Sequence, residues 1–306
     1  MADNLAVWAR RIAAGSHSLR ISAGIYTEHV DAAIAAGYRT GDVIPGTAGL
    51  LAVGPFKILI DGSLNTRTAF CVDEYPGLEG HSHSHGMLTV APDALVPMLR
   101  RVSAAGLLPA VHAIGDDANR IALDAFETVG CRGRIEHAQL LRVADLPRFA
   151  ALGVVASLQP EQAMDDREVA DRYWAGRTCR AFALRSLLDA GATVDLKAPD
   201  GMTAMLAATA FARTTREIAG IELLLARGAD PNLANVEGND ALMMTARHAL
   251  VDAVLVLLKA GADPRRANRH GTTALMQAAR GHLVETARIL IRAGADPTQK
   301  DENGLT

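Results

Sequence analysis

A short motif that recurs every 33 residues governs the last third of the chain. It reads RGADPN at 227–232, AGADPR at 260–265 and AGADPT at 293–298. A less regular copy, AGATVD, precedes these three at 190–195. Turn glycines keep the same register at Gly201, Gly238, Gly271 and Gly304. Self-similarity at this period predicts a solenoid of stacked helical units rather than one globular core.

Two helical stretches lie between successive copies. In GTTALMQAARGHLVETARILIRAGAD, a short Ala-rich stretch precedes a longer apolar one, and the closing glycine suits the left-handed conformation that ends a helix. The first interval holds four extra residues, which we place in FARTTREIAG at 211–220. The period, the GTTAL turn and the GADP close resemble the ankyrin family over residues 187–306. That resemblance implies a non-catalytic solenoid that binds a protein partner through its turns and concave face.

Short apolar runs alternate with helix-like stretches between about residues 18 and 160. The runs lie at 19–25, 56–62, 108–116, 133–139 and 153–160. Amphipathic stretches lie between them, for example PDALVPMLRRVSAAG at 92–106. Strands that alternate with helices predict a parallel sheet with right-handed crossovers. In such folds the reactive side chains lie at the carboxyl ends of the strands.

Three residues on these runs are candidates for chemistry: Lys57, His112 and His137. On spacing alone, two histidines on two strands are more often ordinary buried histidines than metal ligands, and both interpretations stay open. A lysine in the middle of a strand is more unusual, because an ammonium group is costly to bury without a partner. Carboxylation would turn that lysine into an anion able to bridge two cations.

Five ordered motifs resemble the amidohydrolase superfamily, in its family 3 branch of metal-dependent hydrolases. They are GPFKILIDGSLNTRTA, AVHAIGDDANRIALDAFE, RIEHAQLL, DLPRFAALGVVASLQP and DDREVADRYWAGRTCRAFALRSLLDAGA. The resemblance covers about residues 5–192 and implies a (β/α)8 barrel. It makes Lys57 the carboxylated bridging ligand and His112 and His137 metal ligands, with Asp116 holding the loop after His112. It also implies a divalent metal, zinc by preference, that activates water for attack on an amide-like carbon.

The sequence departs from the family pattern at several site positions. It shows no His-x-His pair on a first strand, and TVDLKAPDGMTA at 193–204 stands where the eighth-strand aspartate, the family's general base, is expected. Gln162 and Asn65 stand where the family usually has histidine and glycine. We therefore expect about five of the eight strands. We interpret the alternating histidines of GHSHSHGM at 80–87 as a solvated loop, and the Asp165–Asp166 pair as the start of a helix.

Composition excludes several classes of protein. The formal charge of −3 argues against a nucleic-acid surface, which needs a basic face. No run of 18 apolar residues occurs, and MADNLAVWARRIAAG has no signal-peptide pattern. Cys71, Cys131 and Cys179 are widely spaced, which favours a reducing compartment. We expect a cytoplasmic protein with a small amide-like substrate and a protein partner, binding neither nucleic acid nor membrane.

The sequence thus predicts an α/β plus all-α chain, with an incomplete amidohydrolase barrel over 1–186 and ankyrin repeats over 187–306. Three hypotheses follow: a metal-dependent hydrolase of C–N bonds fused to ankyrin repeats, a non-catalytic interaction module carrying an inert barrel portion, or a chimeric or truncated product. The stretch LRSLLDAGATVDLKAPDGMTA at 184–204 carries features of both families. An amphipathic helix ended by glycine suits either neighbour.

Overall fold

The computed structural model describes residues 4–15, 19–198 and 201–306. The chain divides into two compact units, Met1–Ala192 and Thr193–Thr306. A five-stranded parallel sheet with flanking helices forms the first unit, and paired helices form the second. The predicted fold class, a partial barrel followed by helical repeats, is confirmed.

The elements of the first unit follow the predicted alternation of strands and helices. In chain order they are α1 Asn4–Ala13, β1 Ile21–Tyr26, α2 Val30–Ala35, β2 Leu51–Leu59, α3 Pro92–Ala104, β3 Pro109–Ala113, α4 Asp116–Val129, β4 Gly133–His137, α5 Leu146–Leu152, β5 Val154–Ser157, α6 Pro160–Asp165, α7 Arg167–Tyr173 and α8 Leu184–Asp189. Each predicted apolar run coincides with a strand, although β2 begins five residues before its run.

The five strands pair in chain order, all in parallel. Lys57 on β2 lies opposite Tyr26 on β1 and Ala110 on β3, and His112 on β3 lies opposite Glu136 on β4. Side chains at paired positions of a parallel sheet point to the same face, and alternate positions along a strand share a face. Lys57, His112 and Glu136 therefore lie on one face of the sheet.

The opposite face of the sheet forms the hydrophobic core of the first unit. It consists of alternate strand residues covered by apolar side chains of α3, α4 and α5. The strand residues include Ile25, Val53, Phe56, Ile58, Val111 and Ile135, and the helix residues include Leu95, Leu99, Phe126 and Phe149. Full burial of such a side chain contributes about 1.5–3 kcal/mol each, so this face holds the strands in register. The polar face is left to carry the candidate chemistry.

Helix α4 is held at its N-terminus by a carbonyl from a distant loop. Phe70 O accepts the backbone N–H groups of Asp117 at 3.2 Å and Ala118 at 3.1 Å, two donors that have no partner within the helix. Asp116 and Asp117 in the first turn suit the positive end of the helix dipole. Gly130, with φ 67°, ends the helix.

The second unit consists of three helix pairs. They are α9 Ala204–Thr215 with α10 Ala219–Ala226, α11 Ala241–Ala246 with α12 Val251–Lys259, and α13 Ala274–Arg280 with α14 Val284–Arg292. The first helices of successive pairs contact one another. Thr203, Asp240 and Thr273 cap these first helices, each side chain accepting the N–H three residues on. The extra residues of the first interval lengthen α9 to 12 residues.

Two backbone features repeat with the sequence. Arg216, Ala249 and His282, each 33 residues apart, adopt positive φ of 63°, 56° and 56° at the turn between paired helices. Gly238 has φ 81°, and a Cβ there would lie 3.0 Å from the backbone of Asn268 and Arg269. Glycine is therefore required at that turn both for its left-handed conformation and for the close approach of the next turn.

The stretch at 184–204 is divided between the two units. Leu187 of α8 is buried in the core of the first unit, and α8 contacts α5. Asp195 instead accepts the N–H of Asp230, in the second unit, at 3.1 Å. The boundary between the compact units lies between these two residues, at Ala192 and Thr193.

Candidate metal centre

The carboxyl ends of β2, β3 and β4 bring the three predicted site residues onto neighbouring strands. The imidazole rings of His112 and His137 lie edge to face, with centroids 4.6 Å apart and planes at 68°. Lys57 lies on β2 near enough to affect the pKa of both rings. The structure thus places both histidines side by side and the lysine on the adjacent strand.

His137 reaches this position through an unusual backbone. Strict alternation along β4 would place His137 on the same face as Ile135, beneath the helices. Positive φ values of 74° at His137 and 41° at Ala138 break that alternation where the strand ends. Left-handed conformations at non-glycine residues cost on the order of 1–3 kcal/mol each and cluster at functional sites. The strain marks this strand end as a candidate site.

Each imidazole uses one ring nitrogen for a hydrogen bond within the protein. His112 Nε2 lies 3.2 Å from the carbonyl oxygen of Gly62 and 3.6 Å from Asp61 Oδ1. His137 Nδ1 lies 3.0 Å from Gln162 Oε1. Within the described part of the chain, His112 Nδ1 and His137 Nε2 have no hydrogen-bond partner. Metal-binding histidines typically donate their second N–H to such an acceptor, which fixes the ring tautomer.

Burial favours the neutral form of all three side chains. Loss of solvent lowers the pKa of His112 to about 4 and also lowers the pKa of His137. At neutral pH His112 is therefore uncharged, and its contact with Asp61 is not an ion pair. Burial also lowers the pKa of the Lys57 ammonium, an effect that the nearby Glu136 carboxylate opposes. Neutral imidazoles are the form that binds metals.

Asp61 was missed by the sequence analysis although it organises the surroundings of His112. Its side chain is fully buried and accepts backbone N–H groups of Phe70 at 3.0 Å, Ile114 at 3.1 Å and Gly115 at 2.9 Å. Burial raises its pKa to about 7, while these N–H groups act in the opposite direction. Its signal in the sequence was an acidic residue directly after an apolar strand. Asp116, proposed for the role of holding the loop, instead accepts Val72 N–H at 2.9 Å.

Asp166 links three loops at the same edge of the sheet. Its buried carboxylate accepts Asn65 Nδ2 at 2.9 Å and Gln139 Nε2 at 3.2 Å. The expectation that the Asp165–Asp166 pair starts a helix is wrong for Asp165, which ends α6. Asp166 precedes α7 and also joins these loops. The two residues that departed from the family pattern, Asn65 and Gln162, each have a partner here: Asn65 bonds Asp166 and Gln162 bonds His137.

The donor set fits a divalent cation only in part. In residues 4–15, 19–198 and 201–306, no three His, Cys, Asp or Glu side chains are grouped so that they would hold a metal ion. Two imidazoles with free nitrogens supply two donors, and a carboxylated Lys57 would supply the third. The loop histidines lie apart from this pair: His85 Nδ1, for example, contacts Cys71 O at 3.2 Å.

Family models match both units of the chain. One described as "Amidohydrolase family" matches residues 2–198. Another, described as "Ankyrin repeats (3 copies)", matches residues 174–268 and 212–301. The matches overlap over 174–198, the region that contains α8. No helix of the described residues is long and apolar enough to cross a membrane.

Individual proteins are similar to parts of the chain. Protein LONG AFTER FAR-RED 3 of Arabidopsis thaliana is 35% identical over 155 residues, 48% of this chain and 26% of that protein. N-substituted formamide deformylase of Arthrobacter pascens is 34% identical over 105 residues, 31% of this chain and 19% of that protein. The chain therefore spans about a quarter or less of these relatives. An uncharacterized metal-dependent hydrolase from Pyrococcus furiosus superposes with a TM-score of 0.53 at 32% identity, covering 60% of this chain and 38% of that one.

Proposed function

Because the chain belongs to the amidohydrolase family, we propose that its first unit is a metal-dependent hydrolase of C–N bonds and its ankyrin repeats bind a protein partner. The observation that carries the catalytic part is the pair His112 and His137, each with one nitrogen held and one free. Zinc is the metal we expect, since imidazole ligands suit it. The cytoplasm, where thiols stay reduced, is the compartment that suits the three free cysteines.

Lys57 would complete the donor set after carboxylation. The nitrogen of its neutral amine attacks the carbon of carbon dioxide, forming an N–C bond and releasing one proton. The pKa of Lys57 is lowered by burial, which raises the fraction of neutral amine available for that step. The product would be a carbamate on β2, with its carboxylate on the same side of the sheet as the two imidazoles. A divalent cation bound by this set would supply Lewis acidity for water activation at an amide carbon.

The substrate class follows from the family and from the polar face of the sheet. Small N-acyl, N-formyl or cyclic amides are the compounds we expect, and one similar protein is named as an N-substituted formamide deformylase. Arg134 and Glu136 lie on the same face, with Nε and Oε1 2.6 Å apart. Their charges would orient a polar amide near the imidazole pair.

Metal content of the purified full-length chain tests the catalytic part. We expect near-stoichiometric zinc in the wild type and loss of it in His112→Ala and His137→Ala. Lys57→Ala should bind zinc more weakly. Added bicarbonate should strengthen zinc binding by the wild type but not by Lys57→Ala. A variant with alanine at His81, His83 and His85 is the control, because loss of zinc there would show adventitious binding by the loop. No zinc above the His112→Ala level would contradict the proposal.

Activity is then measured on a panel of N-formyl, N-acyl and cyclic amides, with product amine as the readout. Release of amine that requires zinc and disappears in His137→Ala supports hydrolysis.

The second candidate is a non-catalytic ankyrin interaction module with an inert barrel portion. The observation that favours it is that, among the described residues, no three His, Cys, Asp or Glu side chains are grouped so that they would hold a metal ion. Bound partner protein without bound zinc would establish this alternative.

A further inference from the structure

A groove of about 620 Å³ lies in the second unit, lined by the ends of the first helices and by the repeat turns. Three arginines line it, one from each helix pair: Arg213 at the end of α9, Arg247 directly after α11 and Arg280 at the end of α13. Arg247 and Arg280 are 33 residues apart, so they hold equivalent positions in their repeats. The groove therefore carries a row of guanidinium groups across the stacked repeats.

A turn residue neutralises the charge of Arg280, and an asparagine holds the equivalent place for Arg247. Asn235, Asn268 and Asp301 recur every 33 residues. The Oδ1 atom of each accepts two backbone N–H groups of its own turn, at 2.9–3.0 Å. Asp301 has a second carboxylate oxygen, which pairs with Arg280 at 2.6 Å. Asn268 offers only an amide at that place, so Arg247 lacks this partner.

Arg213 and Arg247 consequently carry uncompensated charge into the groove. Both are exposed, and neither makes an ion pair within the part of the chain that the structure describes. His248, between them in the groove lining, has a pKa lowered first by burial and then by the charges of Arg213, Arg247 and Arg216. A surface that suppresses protonation of a histidine attracts anionic groups.

We propose that this groove binds an extended acidic segment of a protein partner, with carboxylates on Arg213 and Arg247. The inference rests on the proposed protein-binding role of the ankyrin repeats and names the chemistry of the partner. Arginine recognises carboxylates through two parallel hydrogen bonds. Packed helices lie about 8–10 Å apart, and a polyproline II segment advances about 3.1 Å per residue with three residues per turn. Two acidic residues three positions apart in such a segment share one side and would therefore match the two arginines.

The acidic residues in the groove favour a peptide over a nucleic acid. Asp301 and Glu302 line its far end, and Glu302 Oε1 lies 3.0 Å from His270 Nδ1. A nucleic-acid backbone requires a continuous basic surface and would be repelled there. A peptide can present carboxylates to the first two repeats and neutral or basic side chains to the third.

Fluorescence anisotropy with the full-length chain tests this inference. The probe is a labelled twelve-residue peptide with Glu at every third position in a Ser, Thr and Val background, compared with versions carrying Gln or Lys at those positions. We expect the Glu peptide to bind most tightly, with an affinity that falls as salt rises. Arg213→Gln and Arg247→Gln should each weaken it about three- to tenfold. Arg292→Gln, an exposed arginine on α14 outside the groove, should not change it.

Two matched substitutions add or remove a carboxylate beside an arginine and leave the arginine itself in place. Asn268→Asp supplies Arg247 with the kind of carboxylate partner that Arg280 already has, and should lower the affinity for the Glu peptide as much as Arg247→Gln does. Asp301→Asn removes the carboxylate that pairs with Arg280 and should raise the affinity for the Glu peptide. Both changes keep the Oδ1 acceptor that the turn needs, but Asn268→Asp also removes the hydrogen bond that Asn268 Nδ2 donates to Asn239 Oδ1 at 2.9 Å. Far-UV circular dichroism and urea unfolding therefore verify first that the repeats of each variant stay folded.

The possible outcomes separate the inference from the proposed function. Equal binding of the Glu and Gln peptides, or no effect of the arginine variants, would overturn the acidic preference while leaving a protein-binding role. Failure of the Glu, Gln and Lys peptides to bind at any salt concentration would overturn both. Tighter binding of a labelled RNA oligonucleotide or polyphosphate than of the Glu peptide would replace the acidic peptide with a phosphate ligand.

Discussion

The glycine of the HAIGD motif at 112–116 gives a sharp test of how the site is assembled. Gly115 packs against the backbone of Phe70, and a Cβ at Gly115 would overlap the Phe70 carbonyl and lie 2.6 Å from Phe70 N. That same carbonyl caps α4 through the N–H groups of Asp117 and Ala118. Gly115→Ala must therefore push the loop off the helix it caps.

The cost can be estimated from the contacts that are lost. Overpacking against backbone atoms costs about 1–3 kcal/mol, because neither partner can rotate away. Loss of the Phe70 acceptor for two helix N–H groups adds about 0.5–2 kcal/mol, by analogy with the loss of a helix cap. The free energy of unfolding of the first unit should fall by about 1.5–5 kcal/mol in total.

Tryptophan fluorescence during urea unfolding measures this change in the first unit alone. Both tryptophans of the chain, Trp8 and Trp174, lie in that unit, and Trp174 is completely buried. Gly24→Ala is the matched control, since a Cβ there would meet only Pro55 O at 3.5 Å, an ordinary contact. If Gly115→Ala destabilises the unit no more than Gly24→Ala does, the close approach to Phe70 is not a constraint.

Three further predictions concern both units. Leu257→Ala, at a fully buried position of α12, should lower the unfolding free energy of the repeats by about 2–5 kcal/mol, whereas exposed Leu255→Ala should change it little; urea unfolding followed by far-UV circular dichroism compares them. Thr273→Ala removes the cap on α13 and should cost about 1 kcal/mol in the same assay. In metal-free protein, the lowered pKa of His112, about 4 against the usual 6.5, means that the unfolded chain binds more protons. His112 therefore contributes a loss of stability as pH falls through this window, while Asp61, whose pKa is raised to about 7, contributes a gain. The wild type should consequently lose more stability than His112→Gln between about pH 6.5 and 4, as tryptophan fluorescence during urea unfolding measures.

The positions of the site residues were predictable because the strands were. Apolar runs bounded by turn residues predicted all five strands, and parallel pairing brings their carboxyl ends together. Lys57, His112 and His137 could therefore be assigned to one edge of the sheet. Their role as metal ligands remains a prediction that the zinc measurement decides.

The supporting residues could not be predicted in the same way. Asp61 lies 53 residues before Ile114, whose N–H it accepts, and Asp166 lies 101 residues after Asn65. No local pattern joins such pairs, because their contact depends on how loops fold over the end of the sheet. The left-handed backbone at His137 is equally invisible in the sequence, since histidine is enriched in that conformation but only a few per cent of non-glycine residues adopt it.

The sequence by itself determined the two architectures, because the 33-residue period and the strand–helix alternation are local patterns that backbone geometry imposes on hydrophobic residues. It also determined where a helix ends, as at Gly130, and where the repeat turns lie, as at Gly238. Only the tertiary structure decided that α8 packs with the first unit, that His137 turns toward His112, and that Asp301 neutralises Arg280 while Asn268 leaves Arg247 charged. Each of these depends on atoms distant in the chain coming within a few ångströms, and such distances are set by packing rather than by local preference.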